Sequence, residues 1–346
     1  MLHFIKNILG IGKVYECILR THEKSCRLFI VSKQSEIKKI LDIFTNYPLI
    51  SSKRLNLLTW DKAFKLYIEG KDTNESTFNR IKDLKAEMNN NRKDFTSNHP
   101  ININSYWLLG FVEGDGSWVV DKKNYSLIFS IAQSAKDLKL MNAIKFYINN
   151  LNSQFKDIVS LGIYQEDSLS SMVNLTITKT DAISQVLVPL FFNMTWFSKK
   201  EMDFADWVYI LELKKLGLHH TEEGVKMIDR IISQMNNNRL STSSNPSVDR
   251  DLLLLDLKVM LEGGSNYEQS PEGQIVIKSS GKFLKRGSPR RVIINDECGS
   301  TLNEFESIKS CADFLGISYQ TVLRRLRDGK PIEWNSRLIF VKSNNS

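Results

Sequence analysis

The sequence predicts an α+β fold made of two related mixed units and a small helical module near the C-terminus. Three observations predict it. A succession of strand, helix and turn occurs twice along the chain, and polar segments separate the two copies from each other and from the remainder. Near the end, two short apolar helical patterns flank a glycine turn. Such a pair of helical patterns is typical of a helix-turn-helix.

Composition divides the chain of 346 residues into five segments, which is consistent with two or three domains. Turn-forming and charged residues dominate two of the segments, and we interpret these as linkers. The segments are a first α/β unit (1–70), a linker that opens with a helix (71–103), a second α/β unit (104–240), a turn-rich linker (241–281), and a basic arm followed by the helix-turn-helix module (282–346).

The two α/β units have the features of an internal duplication. Ser32–Leu41 aligns with Thr178–Leu187, which lies 146 residues later, and Ser52–Lys53 aligns with Ser198–Lys199 at the same spacing. In each copy a strand leads into a helix, a Ser-Lys turn and a second amphipathic helix. The second copy also opens with an apolar helix and a hairpin, whose counterparts in the first copy would precede residue 1. We therefore expect the first unit to lack its opening helix and hairpin.

Charge and composition narrow the class of partner. The net charge of +8 and the pI of about 9.1 favour an anionic partner, with nucleic acid first and a membrane surface second. No apolar run approaches the ~20 residues that span a bilayer, so we expect no membrane partner. The first residues match neither a signal peptide nor a transit peptide. The four cysteines have no CxxC spacing, which favours a reducing compartment over a disulfide scaffold or zinc site.

One short motif has the features of a catalytic site. An apolar run, Tyr106–Val112, leads into a Glu-Gly-Asp-Gly sequence and then into a strand. Gly110 and Gly114 are four residues apart, so on a helix they share a face that another backbone can approach closely. Asp115 then lies at the end of the helix. Taken alone, such a sequence is more often a buried helix with a glycine-rich end and a solvated acidic pair.

The nine residues Leu108–Gly116 resemble the LAGLIDADG signature of homing endonucleases position by position, which is far more specific than the acidic pair alone. The resemblance implies a fold of αββαββα units in which two such helices pack at a pseudo-twofold axis. It implies that Asp115 binds a divalent metal ion, usually Mg²⁺, and that Glu113 supports the helix end. Magnesium held by a carboxylate can activate water and neutralise charge during phosphodiester hydrolysis.

The resemblance implies functional roles for three further residues. Gln133 lies where the family often places a polar residue near the attacking water. Lys199, together with its counterpart Lys53 in the first copy, lies where the family places a basic residue close to the cleavage site. The ordinary alternatives are a glutamine at a strand end and two solvated turn lysines.

The strands 116–120 and 126–133 are expected to form a hairpin along the major groove, with alternate side chains facing DNA. The candidates for DNA contact are Trp118, Val120, Lys122, Lys123, Asn124 and Ser126. Any sheet with one hydrated face would show similar alternation.

The C-terminal segment combines a basic arm with a helix-turn-helix pattern. Ser307 and Ser318 are suited to cap two helices around a glycine turn, and the exposed basic residues are candidates for phosphate contacts. The arm candidates are Lys282, Lys285, Arg286, Arg290 and Arg291, and the helix candidates are Arg324, Arg325 and Arg327. The stretch 292–341 resembles the nuclease-associated modular DNA-binding domain that is found appended to homing endonucleases.

The function implied by both resemblances is Mg²⁺-dependent, site-specific cleavage of double-stranded DNA that promotes intron mobility. The alternatives are an RNA maturase that assists splicing of a group I intron, an inactive remnant, or a repressor acting through the C-terminal module alone. We expect double-stranded DNA as partner, intron RNA in the maturase alternative, and a monomeric pseudo-dimer if a first motif helix is present. The expected location is the mitochondrion, from an organelle gene without a targeting peptide.

Overall fold

The computed structural model describes residues 1–19, 24–70, 75–96, 99–167, 170–239, 249–271, 274–284, 291–305, 307–335 and 337–343. The chain forms two compact units, Met1–Asn266 and Tyr267–Ser346. The larger unit holds both copies of the duplication, and the α+β prediction is confirmed. Among the described residues, no helix is both long enough and apolar enough to cross a membrane.

The described part of the first repeat contains two strands and three helices. Its elements are α1 (Leu2–Leu9), β1 (Lys13–Leu19), β2 (Lys24–Ile30), α2 (Gln34–Asn46) and α3 (Lys53–Glu69). The strands pair antiparallel, with Lys13 opposite Ile30. In the described part of this repeat the buried residues are only Ile11, Thr59 and Phe64, so these helices bury little of their apolar faces.

The segment between the repeats begins with α4 (Glu75–Ala86), which packs on α3. After a single 3₁₀ turn at Asn89–Asn91, the guanidinium of Arg92 donates hydrogen bonds to Asn56 Oδ1, to the carbonyl oxygen of Leu55 and to Thr59 Oγ1. These bonds fix the linker to the first repeat before it enters the second.

The second repeat contains four strands and the main hydrophobic core. Its elements are α5 (Ser105–Asp115), β3 (Gly116–Asp121), β4 (Ser126–Ser134), α6 (Leu138–Asn149), β5 (Ser160–Asp167), β6 (Ser170–Ile177), α7 (Thr180–Ala182), a π-helical turn (Ile183–Leu187), α8 (Val188–Phe192) and α9 (Lys200–Lys215). The strands form an antiparallel sheet in the order β3-β4-β6-β5. One face of the sheet packs against the helices through residues such as Phe129, Ile131 and Leu175.

Two equivalent contacts join the repeats. The backbone N–H of Ser52, just before α3, donates to Asp137 Oδ1 at 2.5 Å, just before α6. The corresponding turn before α9 meets α1, where the rings of Phe197 and Phe4 stack with their centroids 4.7 Å apart. In each case the turn before the last helix of one repeat contacts the start of a helix in the other repeat. This arrangement is the one expected of two units related by a pseudo-twofold axis.

The prediction that 241–281 is a linker is wrong for much of that range. The larger unit continues through α10 (Glu222–Ile232) and α11 (Arg250–Glu262), and the core includes Leu253 and Leu257 of α11. Arg250 also forms an ion pair with the buried Asp206. The run of leucines after Asp249 forms a core helix because it has an apolar surface to pack against, whereas Ser241–Ser247 lies outside the described residues.

The C-terminal unit contains two small sheets and two helices. Its elements are β7 (Tyr267–Gln269), β8 (Ile275–Ile277), β9 (Lys282–Phe283), β10 (Val292–Asn295), β11 (Thr301–Phe305), α12 (Ile308–Leu315), α13 (Tyr319–Asp328), β12 (Ile332–Trp334) and β13 (Arg337–Ser343). The first three strands form one sheet, and the others pair in the order β11-β10-β13-β12. Helices α12 and α13 cover the second sheet with a shared core that includes Ala312, Leu315 and Val322.

Candidate active site at the end of the motif helix

Helix α5 ends at Asp115, where the sequence predicts the end of the helix. The side chain of Asn104 accepts a hydrogen bond from the N–H of Trp107 and so caps the first turn. Leu108 and Val112 are completely buried. Gly116 then starts β3, where a Cβ would lie 2.7 Å from the side chain and 2.8 Å from the carbonyl oxygen of Val112. A larger residue at this position would push the helix end away from the strand.

Asp115 and Gln133 come together at this helix end. The amide Nε2 of Gln133, near the end of β4, donates to Asp115 Oδ2 at 2.8 Å. Asp115 is exposed, and among the described residues this amide is its one hydrogen-bond partner. The carboxylate is therefore held through one oxygen while the other faces solvent.

Glu113 points the other way and stabilises the neighbouring turn. Its Oε1 accepts the backbone N–H groups of Phe197 at 2.8 Å and Ser198 at 2.6 Å, just before α9. Because that oxygen is committed to two backbone donors, Glu113 is poorly placed to bind a metal ion together with Asp115. Its contacts are those expected of a residue that supports the helix end.

The lysine that reaches the helix end is Lys200, the neighbour of the predicted Lys199. Its Nζ donates to the carbonyl oxygens of Val112, Gly114 and Gly116 at 3.2, 3.1 and 2.5 Å. Burial lowers the pKa of Lys200 below its ordinary value, and the nearby carboxylate of Asp115 opposes that shift. A cation at the C-terminal end of a helix complements the helix dipole.

Lys199 and Lys53 are exposed residues at the start of their helices, and among the described residues neither forms a hydrogen bond with Asp115. Helical spacing in the sequence could have identified Lys200, rather than Lys199, as the lysine on the inward face of α9. Lys200 shares a face with the buried residues Phe204 and Trp207, which follow it by four and seven positions.

The prediction that Trp118 and Val120 contact DNA is wrong. Trp118 is 0% exposed, and its ring packs against Phe129, Phe204 and other aromatic rings of the core. Val120 lies on the same side and packs against that core. The register pairs Trp118 with the buried Phe129, so Trp118 and Val120 lie on the core face of the sheet, and the residues next to them in sequence lie on the opposite face.

The opposite face of the sheet is the more polar one, although it also carries Val119, Ile128 and Ala132, and it faces away from the core. Its side chains alternate with the buried ones along each strand, and the register places them in rows across the four strands. They include Ser117, Val119, Asp121, Ser126, Ile128, Ser130, Ala132, Asn174, Thr176 and Tyr164. Of the predicted strand contacts, only Ser126 belongs to this face.

The turn of the β3–β4 hairpin is rigidly supported. Lys122 and Lys123 are exposed, as expected of residues that contact phosphate. The side chain of Asn124 accepts the N–H of Ser126 and so has a role within the turn. From α9, Lys214 Nζ donates to the carbonyl oxygen of Tyr125 at 2.7 Å. The lysines at the tip are therefore presented from a fixed backbone.

The helix pair of the C-terminal unit forms as predicted, with one correction among its arginines. Ser307 and Ser318 cap α12 and α13 with hydrogen bonds to backbone N–H groups. Arg324 and Arg327 are exposed, but Arg325 is not freely exposed: it is partly buried and forms an ion pair with Asp328 at 3.1 Å. Its side chain turns back because Asp328 lies three residues later, on the same face of the helix.

The basic arm is described only at its two ends. Lys282 is an exposed residue of β9, so this position is a strand rather than a flexible arm, and Arg291 precedes β10. The predicted contacts Lys285, Arg286 and Arg290 lie outside the described residues.

A buried ion-pair cluster was missed by the sequence analysis. Asp206 on α9 is completely buried and pairs with Arg239 and Arg250, and Arg239 also pairs with Asp203. Burial raises the pKa of Asp206, while the arginines oppose the shift. The cluster ties both ends of the segment 240–249 to α9. Arg239 and Arg250 lie far from their partners in sequence, so no local pattern identified it.

As a metal site, the arrangement offers one carboxylate. Carboxylate oxygen is the type of ligand that Mg²⁺ prefers, and the exposed oxygen of Asp115 fits that chemistry. Within the described residues no group of three or more His, Cys, Asp or Glu side chains could enclose a metal ion. A metal ion at this position would need further oxygen ligands from water, from a nucleic acid or from a second acidic helix end.

The duplicated α+β fold and the acidic end of its motif helix define the class of protein, which is that of the homing endonucleases. The family model described as LAGLIDADG endonuclease matches residues 1–64 and 108–211, and the chain belongs to this family. The match includes both repeats and the motif helix.

Relatives and solved structures agree with this assignment. The chain is 22% identical over 348 residues to the uncharacterized mitochondrial protein RF1 of Saccharomyces cerevisiae, covering 95% of this chain and 71% of that protein. It is 26% identical to the probable intron-encoded endonuclease Cox1-I1b of Schizosaccharomyces pombe, covering 60% of this chain but only 52% of the relative. The structure of the meganuclease I-SmaMI bound to uncleavable DNA matches with a TM-score of 0.57 and 26% identity, over 69% of this chain and 84% of that one.

Proposed function

We propose that this protein is an intron-encoded homing endonuclease that cleaves double-stranded DNA at a specific site and thereby promotes mobility of its intron. The observation that carries the proposal is the exposed carboxylate of Asp115, held by Gln133 at the end of the motif helix beside the polar face of the sheet. Solved structures of the similar endonuclease I-SmaMI hold DNA, in one case uncleaved and in the presence of calcium ions.

The cofactor is Mg²⁺, with Asp115 as the protein ligand from this helix. When bound, the ion would supply an activated water and neutralise charge on the scissile phosphate. The protein's own residues prepare the site. Gln133 fixes the orientation of the carboxylate, and Glu113 and Lys200 hold the helix end against α9. Lys199 and Lys53, exposed at equivalent positions of the two repeats, would contact phosphates next to the cleavage site.

DNA would lie along the polar face of the sheet. Alternate residues such as Ser117, Ser130 and Thr176 provide hydroxyl groups that can contact base edges in the major groove. Lys122 and Lys123 at the hairpin tip would contact phosphates. The C-terminal unit would add further phosphate contacts through its exposed basic residues, so deleting 280–346 should weaken binding more than it changes the cleavage site.

A maturase that binds the intron RNA is the second candidate, and the relatives support an organellar origin. The name of one relative places it in mitochondria, and others are named as intron-encoded endonucleases. We therefore propose a mitochondrial location. The hydroxyl groups of the sheet face and the lysines at its hairpin tip suit either nucleic acid, whereas a carboxylate that binds a metal ion, the role proposed for Asp115, is needed only for cleavage.

The experiment compares the wild-type chain with Asp115→Asn on a supercoiled plasmid library of randomised targets, with and without Mg²⁺. The amide retains the shape of the side chain and loses the charge that holds the ion. We expect Mg²⁺-dependent nicked or linear product from the wild type and none from the variant, with equal binding of duplex DNA. Cleavage by the variant at the wild-type rate would refute the role of Asp115. Absence of cleavage together with tight, specific binding of intron RNA would favour the maturase.

A further inference from the structure

The side-chain amide of Asn174 has no hydrogen-bond partner in the described part of the chain. Asn174 lies in β6 on the more polar face of the sheet, and its Oδ1 is buried without a partner. Its Nδ2 donates to no described residue either. By contrast, Asn124 and Asn149 accept backbone N–H groups through their side-chain oxygens and so stabilise turns. A buried amide oxygen without a partner is unfavourable, so the folded chain gains nothing from this group.

Asparagine is also an unfavourable residue for this place in the sheet. Strand β6 is an interior strand, between β4 and β5. Asparagine is depleted in strands, whereas threonine, which follows on the same face as Thr176, is enriched in them. Neither strand propensity nor hydrogen bonding among the described residues therefore accounts for an asparagine at position 174.

The residues beside Asn174 leave space above its amide. Asn174 pairs with Ala132 of β4 on one side and with Gly162 of β5 on the other, and both neighbours are exposed. A Cβ at Gly162 would meet no atom within 4 Å, so packing does not require a glycine there. A glycine inside a strand often marks a place where a ligand approaches closely. Because the last torsion of an asparagine side chain is broad, the amide can turn and present both of its polar atoms to a ligand above the sheet.

The register of the sheet places this amide beside the proposed cleavage site. Asp115 precedes Gly116 at the start of β3, and Gly116 pairs with Ile131. The next residue of β4, Ala132, pairs with Asn174. Neighbouring strands lie ~4.8 Å apart, so Asn174 is about 10 Å from the line of β3, two strands away. Phosphates along one DNA strand are ~3.4 Å apart, so this distance corresponds to about three nucleotides.

The chemistry of an amide selects one base in the major groove. Adenine presents an acceptor, N7, beside a donor, the N6 amino group, and an asparagine amide can bind both at once. Guanine presents two acceptors there, which would leave the amide oxygen unpaired. The hydroxyl groups of Ser130 and Thr176, which pair with each other in the next row of the face, can donate to or accept from any base. On this face an amide therefore distinguishes bases that a hydroxyl group does not.

We propose that Asn174 recognises an adenine of the target DNA, with Nδ2 donating to adenine N7 and Oδ1 accepting from adenine N6. The contact would give partners to both polar atoms of the amide. The inference rests on the proposed function, because it takes this sheet face as the surface that binds DNA. It goes further by assigning one residue to one base of the target.

The test selects binding sites for the full chain from duplexes with a randomised centre, in buffer without divalent metal ions. We expect the wild type to prefer adenine at one position, where other bases weaken binding by about 5- to 150-fold, equivalent to the ~1–3 kcal/mol of a bidentate contact. Asn174→Ala should lose this preference and keep the preferences at other positions. Asn174→Asp, which can only accept, should change the preferred base at the same position to cytosine, whose N4 amino group donates.

The matched control is Asn142→Ala on α6. Asn142 is exposed, and its amide donates to the carbonyl oxygen of Leu138 in the same helix. This variant should select the same sites as the wild type.

Two results would overturn the inference. One is an Asn174→Ala variant that keeps every preference of the wild type. The other is a variant that loses preference at all positions, which would show that Asn174 supports the sheet rather than contacts one base. Selection requires no cleavage, so the two proposals can fail separately. A wild type that selects this adenine but does not cleave the selected site with Mg²⁺ would refute the proposed nuclease and support the role of Asn174.

Discussion

Replacing Lys200 with methionine tests how the end of the motif helix is held. Methionine keeps the apolar stem but removes the ammonium that donates to the carbonyl oxygens of Val112, Gly114 and Gly116. A hydrogen bond from a charged group contributes ~1.5–3 kcal/mol. Removing the cost of burying the ammonium offsets part of the loss, and the exposed carbonyl oxygen of Gly114 can be rehydrated. We therefore expect the free energy of unfolding to fall by about 2 kcal/mol, equivalent to one charged hydrogen bond.

The matched control is Lys199→Met at the neighbouring exposed position, which we expect to change stability by less than ~0.5 kcal/mol. Urea unfolding followed by tryptophan fluorescence measures both variants, and plasmid cleavage measures their activity. Lys199→Met should slow cleavage while the fold is unchanged, whereas Lys200→Met should reduce stability. Equal stability of the two variants, or a loss confined to Lys199→Met, would show that Lys200 does not anchor the helix end.

Three further predictions concern the core and its charges. Trp118→Ala should destabilise the larger unit by ~3–5 kcal/mol in urea, and a loss below ~1 kcal/mol would contradict its place in the core. Arg239→Ala should lower the free energy of unfolding by about 3 kcal/mol, because Asp206 stays buried with Arg250 as its remaining partner. An unchanged free energy of unfolding would contradict this prediction. Burial lowers the pKa of His219 to about 4, so stability should fall from pH 6.5 towards 4 as the unfolded chain takes up the proton first. His219→Leu should reduce that slope, as seen by unfolding at pH 7.5 and 5.

Local patterns predicted the motif helix and its hairpin well. The apolar run from Tyr106 to Val112 and the two glycines predicted α5, and strand alternation predicted β4. The repeat spacing predicted the order of strand, helix, turn and helix that both copies show. These features depend on residues close in sequence or on a comparison of the chain with itself, so they can be recognised without coordinates.

The structural features that the sequence did not predict depend on contacts between residues far apart in the chain. Helix α11 begins after a serine-rich stretch that suggested a linker, and its burial depends on contacts with α10 and α9. The pairing of Asp206 with Arg239 and Arg250 spans 33 and 44 residues. Which face of β3 is buried depends on its partner strand, because a six-residue strand with Trp118 and Val119 side by side has apolar residues on both faces.

The two repeats show that a helical pattern predicts which face of a helix is apolar but does not predict whether that face is buried. Leu58 and Phe204 occupy equivalent positions with the same spacing to their neighbours, and both patterns predict an inward apolar residue. Phe204 is buried because Trp118 covers it, whereas Leu58 is 45% exposed. The burial of a side chain therefore depends on its own helix and on the element that packs against it, and the sequence of α3 describes only the helix.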